Sequence, residues 1–144
     1  DFLTAFCTGS TENELVGFCV LGGVFAEGVD LPGSSLIGCA VVGVGLPQVN
    51  ELQELLRDYY QTKNNAGFDY AYRFPGINKV LQAVGRVIRT ETDVGTALLI
   101  DYRFAHSGYS ELFPPHWSGR GFLMHVEDIE PFFRSFWLQI KGAP

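Results

Sequence analysis

Two regimes of apolar patterning alternate along the chain. Val16 to Leu21 is an apolar run closed by Gly22-Gly23, and Ile37 to Val44 is a second run rich in β-branched residues. Neither shows the polar alternation of a half-exposed strand, so both predict strands buried on two faces, as in a parallel sheet. After Pro47 the period lengthens. Leu52, Leu55, Leu56 and Tyr59 recur at helical spacing behind Asn50, a suitable N-cap, which predicts an amphipathic crossover helix over Asn50 to Tyr60. A second helix is predicted from Pro75 to about Arg89, then a strand from Thr96 to Ile100 ending at Asp101. Phe113-Pro114-Pro115-His116-Trp117 reads as an extended turn before a short apolar piece at Gly121 to Val126. A closing helix starts near Asp128. It tolerates Pro131 in its first turn and repeats Ile129, Phe132, Phe133, Phe136, Trp137 and Ile140 at spacings of three and four, a packing stripe. Strand, strand, helix, helix, strand, helix is the order of a mainly parallel α/β fold.

Length and composition narrow this picture. At 144 residues, nearly half of them hydrophobic, the chain is expected to form one globular unit over 1–144. The net charge of -6 argues against strong adsorption of the whole surface to nucleic acid, so any DNA contact is local or shared with a partner domain. Cys7, Cys19 and Cys39 are odd in number, widely spaced and set among apolar residues. They suggest neither a disulfide framework nor a metal site, and fit a reducing, cytoplasmic setting. The longest apolar run, Leu36 to Leu46, falls short of the roughly 20 residues of a membrane helix. The start, Asp1-Phe2-Leu3-Thr4, lacks Met and a basic leader, so no signal peptide is expected and the chain reads as a piece of a longer protein.

The most informative segment is Asn78 to Arg89. At about 100° per residue, a helix through it places Asn78, Gln82, Arg86 and Arg89 in one narrow stripe, with Ile77, Val80, Leu81, Val84, Val87 and Ile88 on the opposite face. Gly85 beside the stripe weakens a helix by about 1 kcal/mol relative to alanine, which suggests close approach of another backbone or a ligand. An arbitrary pair of arginines is a solvated face. Two guanidinium groups one helical turn apart, however, can also grip neighbouring phosphate oxygens and stabilise charge as a phosphoryl group leaves. Gln82, one turn earlier, can position water or a phosphate oxygen.

These residues resemble a known family. Gln82-Ala83-Val84-Gly85-Arg86-Val87-Ile88-Arg89 is similar to the QxxGRxxR signature, motif VI, of superfamily-two helicases, and Phe25-Ala26-Glu27-Gly28-Val29-Asp30 to the motif V of the XPD/DinG branch. Their order and separation also fit, and the likeness runs from about Val20 through Phe104. It implies a RecA-like, three-layer α/β domain with a mainly parallel sheet, the truncated second motor domain of an ATP-dependent DNA helicase acting in DNA repair or replication. Carried across, Arg86 and Arg89 contact the terminal phosphates of ATP and Gln82 shares their cleft. Glu27, Gly28 and Asp30 line that cleft or couple it to the DNA strand, and Gly85 lies beside it. For Asp30 a turn in Asp30-Leu31-Pro32-Gly33 stands as an equal reading. The implied partners are the first RecA-like domain, single-stranded DNA and ATP, with no membrane. ATP and Mg2+ are bound mainly by that first domain. The sequence carries no phosphate-binding G-x-x-x-x-G-K-[ST] loop, so the chain alone is expected to be inactive.

Other features carry less. Gly43-x-Gly45 lacks the third glycine of a dinucleotide fingerprint and is followed by Pro47. His106, His116 and His125 are scattered. Phe68 to Pro75 mixes aromatics with a cation, a pattern that can stack on single-stranded bases, with packing on the next helix the favoured use. Asp101, at the carboxyl end of a strand, can orient Arg103 or an arginine of the Gln82 to Arg89 segment. Two rival functions remain: a non-catalytic nucleotide- or partner-binding module on a helicase-like sheet, and an unrelated Rossmann-type enzyme.

Overall fold

The computed structural model describes residues 15–23, 36–90, 92–117 and 120–141. The chain divides into a larger unit that ends at Leu112 and a smaller one that begins at Phe113. The larger is α/β. Strand β1 (Gly38–Val42) pairs in parallel with β2 (Thr96–Ile100), Gly38 opposite Thr96 and Val42 opposite Ile100. Parallel neighbours require a crossover. It is made by α1 (Glu51–Asn64), a π-helical turn (Asp69–Arg73) and α2 (Phe74–Val84). After β2 come a 3-10 turn (Tyr102–Ala105) and the short α3 (Ser107–Ser110). The smaller unit contains a 3-10 turn (Val126–Asp128) and α4 (Ile129–Lys141), the closing helix that the aromatic stripe predicts.

Local chemistry explains the ends of α1. The Asn50 side chain accepts from the Gln53 N–H at 3.0 Å, and Asn65, at φ +56°, closes the helix in the left-handed conformation that asparagine tolerates. The packing of α1 differs from expectation. Leu52, Leu55 and Tyr59 are more than half exposed, because α1 packs on the π-helical turn alone among the principal elements described. Gln53 donates to the Ala71 carbonyl at 2.6 Å, the Tyr72 hydroxyl bonds Glu54, and Tyr60 stacks on Tyr70 at 4.2 Å between centroids. The Phe68 to Pro75 aromatics thus contact each other and the preceding α1, where the sequence favours the following helix, and Phe68 and Tyr70 stay exposed.

The core gathers where the inner side of α2 meets β1 and the chain that follows β2. Val41, Val44, Ile77, Val80, Val84, Val87 and Phe104 are all buried there. Two glycines set how closely α2 approaches. A Cβ at Gly76 would lie 2.6 Å from the Val44 carbonyl oxygen, and one at Gly45, where φ is +67°, would lie 2.8 Å from the Gly76 carbonyl oxygen. Helix backbone therefore rests directly on the loop that leaves β1.

Two strand expectations change. Val16 to Leu21 is not a strand; Val16, Phe18 and Val20 are exposed, and the local bond is a turn, Gly23 N–H to Val20 carbonyl at 2.9 Å. A buried parallel strand needs paired neighbours and a covered face. Among the described residues the sheet has two strands, which pair with each other. For the same reason β1 is buried on one face only, with Val41 covered and its neighbour Val42 exposed.

The cysteines differ in environment. Cys19 is exposed, whereas burial pushes the Cys39 thiol, on β1, up to about 11. Moving a thiol from 9.0 to about 11 removes about 99% of its thiolate at neutral pH, and the thiolate is the nucleophile. Alkylation by iodoacetamide at pH 7.5, followed by peptide mass spectrometry, is expected to modify Cys39 more slowly than the exposed Cys19. Equal rates would contradict this burial.

Candidate functional site

Helix α2 is shorter than its apolar periodicity predicts. It ends at Val84, with Gly85 as its C-cap in a right-handed conformation. The Gly85 N–H still bonds the Leu81 carbonyl at 2.8 Å, but the next donors step back to three-residue spacing, Arg86 to Ala83 at 3.2 Å and Val87 to Val84 at 2.9 Å. Arg86 thus lies in a tightened turn, and Arg89 lies beyond it. The expectation that Gln82, Arg86 and Arg89 share one stripe of a single helix is therefore corrected. A three-residue turn follows a helix without reversing its face, so Val87 stays buried with Ile77, Val80 and Val84, while Ile88 swings out and is exposed.

The same side chains nevertheless converge. Gln82, Gly85, Arg86 and Arg89 line one open groove of about 410 Å³. Gln82 and Arg89 are exposed and Arg86 is half-buried, anchored between the buried Val84 and Val87. Arg89 is held at its side chain and at its backbone. Its Nε donates to the Arg86 carbonyl at 3.1 Å, and its backbone N–H donates to the Asp93 carboxylate at 2.8 Å. The Thr90 N–H reaches the same carboxylate oxygen at 2.9 Å, and the Asp93 N–H returns to the Thr90 carbonyl at 3.2 Å. The Arg89 N–H, then that of Thr90, holds the Asp93 carboxyl below the usual carboxylate range.

Gly85 forms part of the groove wall. Within 4 Å, a Cβ there would meet Leu81 and Gln82 carbonyl oxygens of its own helix, the nearest at 3.1 Å, so among the described residues no other segment's backbone approaches it. The ligand half of the expectation for Gly85 is the half this position leaves open. Glu27, Gly28 and Asp30 lie outside the described residues. The turn just before them is placed: Gly22, at φ +81°, lies against the Lys79 side chain on α2, where a Cβ would be 3.3 Å from Lys79 Cδ.

Asp101 orients Arg103, one of the two alternatives for it. Its carboxylate accepts from Arg103 Nε at 2.9 Å, from Nη2 at 2.7 Å and from the Arg103 backbone N–H at 2.9 Å. That paired contact holds the carboxyl below its usual range. Periodicity gave no sign of Asp93. The available signal was the run of turn-forming residues in Thr90 to Asp93, where an aspartate can bond backbone N–H groups a few residues earlier.

Among the described residues the groove lining is two cations, one amide and a glycine. Its two guanidinium groups suit phosphate oxygens. Among the described residues no helix is long and apolar enough to cross a membrane.

Comparison with known proteins adds one family match and three relatives. The family of the helicase C-terminal domain matches residues 1–120. Regulator of telomere elongation helicase 1 of Bos taurus is 32% identical over 129 residues, covering 80% of this chain and 11% of that protein. The ATP-dependent DNA helicase chl-1 of Caenorhabditis elegans is 32% identical over 98 residues (66% and 12%), and the ATP-dependent DNA helicase DinG of Photobacterium profundum 31% over 91 residues (62% and 13%). The chain spans about an eighth of the length of these relatives.

Proposed function

The chain belongs to the helicase C-terminal domain family, of the XPD/DinG-like kind, and on that premise we propose that it is the second motor domain of an ATP-dependent DNA helicase. The observation that carries this reading is the groove, where Gln82, Gly85, Arg86 and Arg89 meet. In the intact polypeptide a first RecA-like domain holds most of the ATP and its Mg2+. The groove closes over the terminal phosphates. Arg86 and Arg89 then offset the charge that develops as the phosphoryl group leaves, and Gln82 donates to a phosphate oxygen or the attacking water. Closure and release of the two domains drive stepping along single-stranded DNA. Glu27, Gly28 and Asp30 are assigned to the same cleft or to its coupling with DNA. The relatives' names support DNA helicase action, and a role in repair or replication in a cytoplasmic setting is proposed with it.

The test is steady-state ATP hydrolysis by the intact polypeptide with and without single-stranded DNA. Turnover is expected to rise with DNA. A Gln82→Ala variant is expected to lose about two- to tenfold in kcat/KM for ATP, the worth of one neutral hydrogen bond. An intact polypeptide that does not hydrolyse ATP even with DNA present would replace this reading with that of a binding module.

A further inference from the structure

We propose that Asp93 is a positioning residue for Arg89, a role that rests on the reading of the groove as a phosphate site. An arginine that stabilises a leaving phosphoryl group has to be held to within about 0.5 Å, and such precision is easiest on a regular element. Arg89 has none. Helix α2 ended at Val84 and its last turn closes with the Val87 N–H, so the backbone at Arg89 is outside the helical hydrogen-bond ladder.

Asp93 supplies what the helix no longer does. A single carboxylate oxygen, Oδ2, accepts two consecutive N–H groups, those of Arg89 and Thr90, and the Asp93 N–H closes the loop on the Thr90 carbonyl. This fixes the peptide planes on either side of the Arg89 Cα, and with them the direction in which the Arg89 side chain leaves the backbone. The Nε bond to the Arg86 carbonyl then sets the start of the guanidinium plane, and places Arg89 beside Arg86 along the groove. Asp93 is not among the residues lining the groove, so its negative charge serves the backbone behind the arginine and leaves the phosphate side cationic. The lowered pKa of its carboxyl agrees with two backbone donors aimed at it.

The experiment compares the intact polypeptide with Asp93→Ala, Asp93→Asn, Arg89→Ala and Arg89→Ala/Asp93→Ala in single-stranded-DNA-stimulated ATP hydrolysis. Loss of the carboxylate is expected to lower kcat about tenfold, with KM for ATP within about twofold of wild type. Asparagine keeps an acceptor oxygen and is expected to recover to within about threefold of wild type. In the Arg89→Ala background, where there is no guanidinium to place, adding Asp93→Ala is expected to change kcat by less than about twofold. Asp93→Ala at the wild-type rate beside a slow Arg89→Ala would overturn the positioning role alone. So would an Asp93→Ala change that slows the Arg89→Ala enzyme as much as it slows wild type, since that marks a general structural part. Arg89→Ala at the wild-type rate would remove the phosphate reading itself, and the positioning role with it.

Discussion

Alanine at Arg86 in the intact polypeptide is expected to lower the single-stranded-DNA-stimulated turnover of ATP by about 10³-fold or more, the loss seen when a guanidinium that neutralises a leaving phosphoryl group is removed. Arg89→Ala is expected to be severe but smaller. Arg86 sits in the tight turn between two buried valines, Val84 and Val87, and is itself half-buried, so its guanidinium starts from a fixed backbone next to the core. Arg89 is exposed and lies beyond the helix, its backbone N–H on the Asp93 carboxylate. Lysine at position 86 is expected to rescue poorly, because a point charge on a flexible stem cannot offer two parallel N–H donors. If the groove acts on the transition state, kcat falls and KM for ATP moves little. A kcat within threefold of wild type for Arg86→Ala, measured on a variant with an unchanged unfolding midpoint, would exclude arginine-assisted hydrolysis at this groove.

The ranking of those two arginines was not available from the sequence, and the reason is physical. Apolar residues at Ile77, Val80, Val84 and Val87 keep a spacing of three or four whether the backbone is α-helical or has tightened to three residues per turn. The pattern therefore predicts the buried side correctly and runs through the helix end at Val84 without registering it. Gly85 marked the place, but a glycine at such a position signals a weak helix and an open groove wall equally well. By contrast β2, α1 and α4 were legible because their determinants are local: a β-branched or apolar run of strand length, an asparagine cap, an aromatic stripe. Val16 to Leu21 shows the opposite case. Its composition is that of a buried strand, yet strand formation depends on a neighbour elsewhere in the fold, and the described sheet offers none. The convergence of Gln82, Gly85, Arg86 and Arg89 survived the correction because a tightened turn still projects its polar residues to the side away from the core.

Valine at Gly76 is expected to destabilise the larger unit by about 3 kcal/mol, the upper end of what overpacking against fixed backbone costs. The missing Cβ would stand 2.6 Å from the Val44 carbonyl oxygen, 3.2 Å from the Gly45 carbonyl carbon and 3.2 Å from Leu46 Cδ2. Two of these three atoms are backbone, so relief cannot come from a rotamer change. Helix α2 has to lift off the loop, which uncovers Val80 and Val84 and breaks the seat that holds Gln82 and Arg86 in place. Gly43→Ala is the informative comparison. Gly43 also has a positive φ, +82°, but a Cβ there meets nothing within 4 Å, so the cost is the left-handed backbone alone, about 1–2 kcal/mol. All six tyrosines lie in the larger unit and both tryptophans in the smaller, so near-ultraviolet circular dichroism in the tyrosine bands follows the unit that Gly76 belongs to. Urea midpoints are expected to fall in the order wild type, Gly43→Ala, Gly76→Val. A loss of 3 kcal/mol is a large share of the 5–15 kcal/mol that folded domains possess, so the Gly76 variant is also expected to lose DNA-stimulated hydrolysis at temperatures where wild type is folded. A Gly76→Val midpoint at or above that of Gly43→Ala would mean that α2 does not rest on the β1 exit loop. The groove would then owe its geometry to the Asp93 loop rather than to the contact between Gly45 and Gly76.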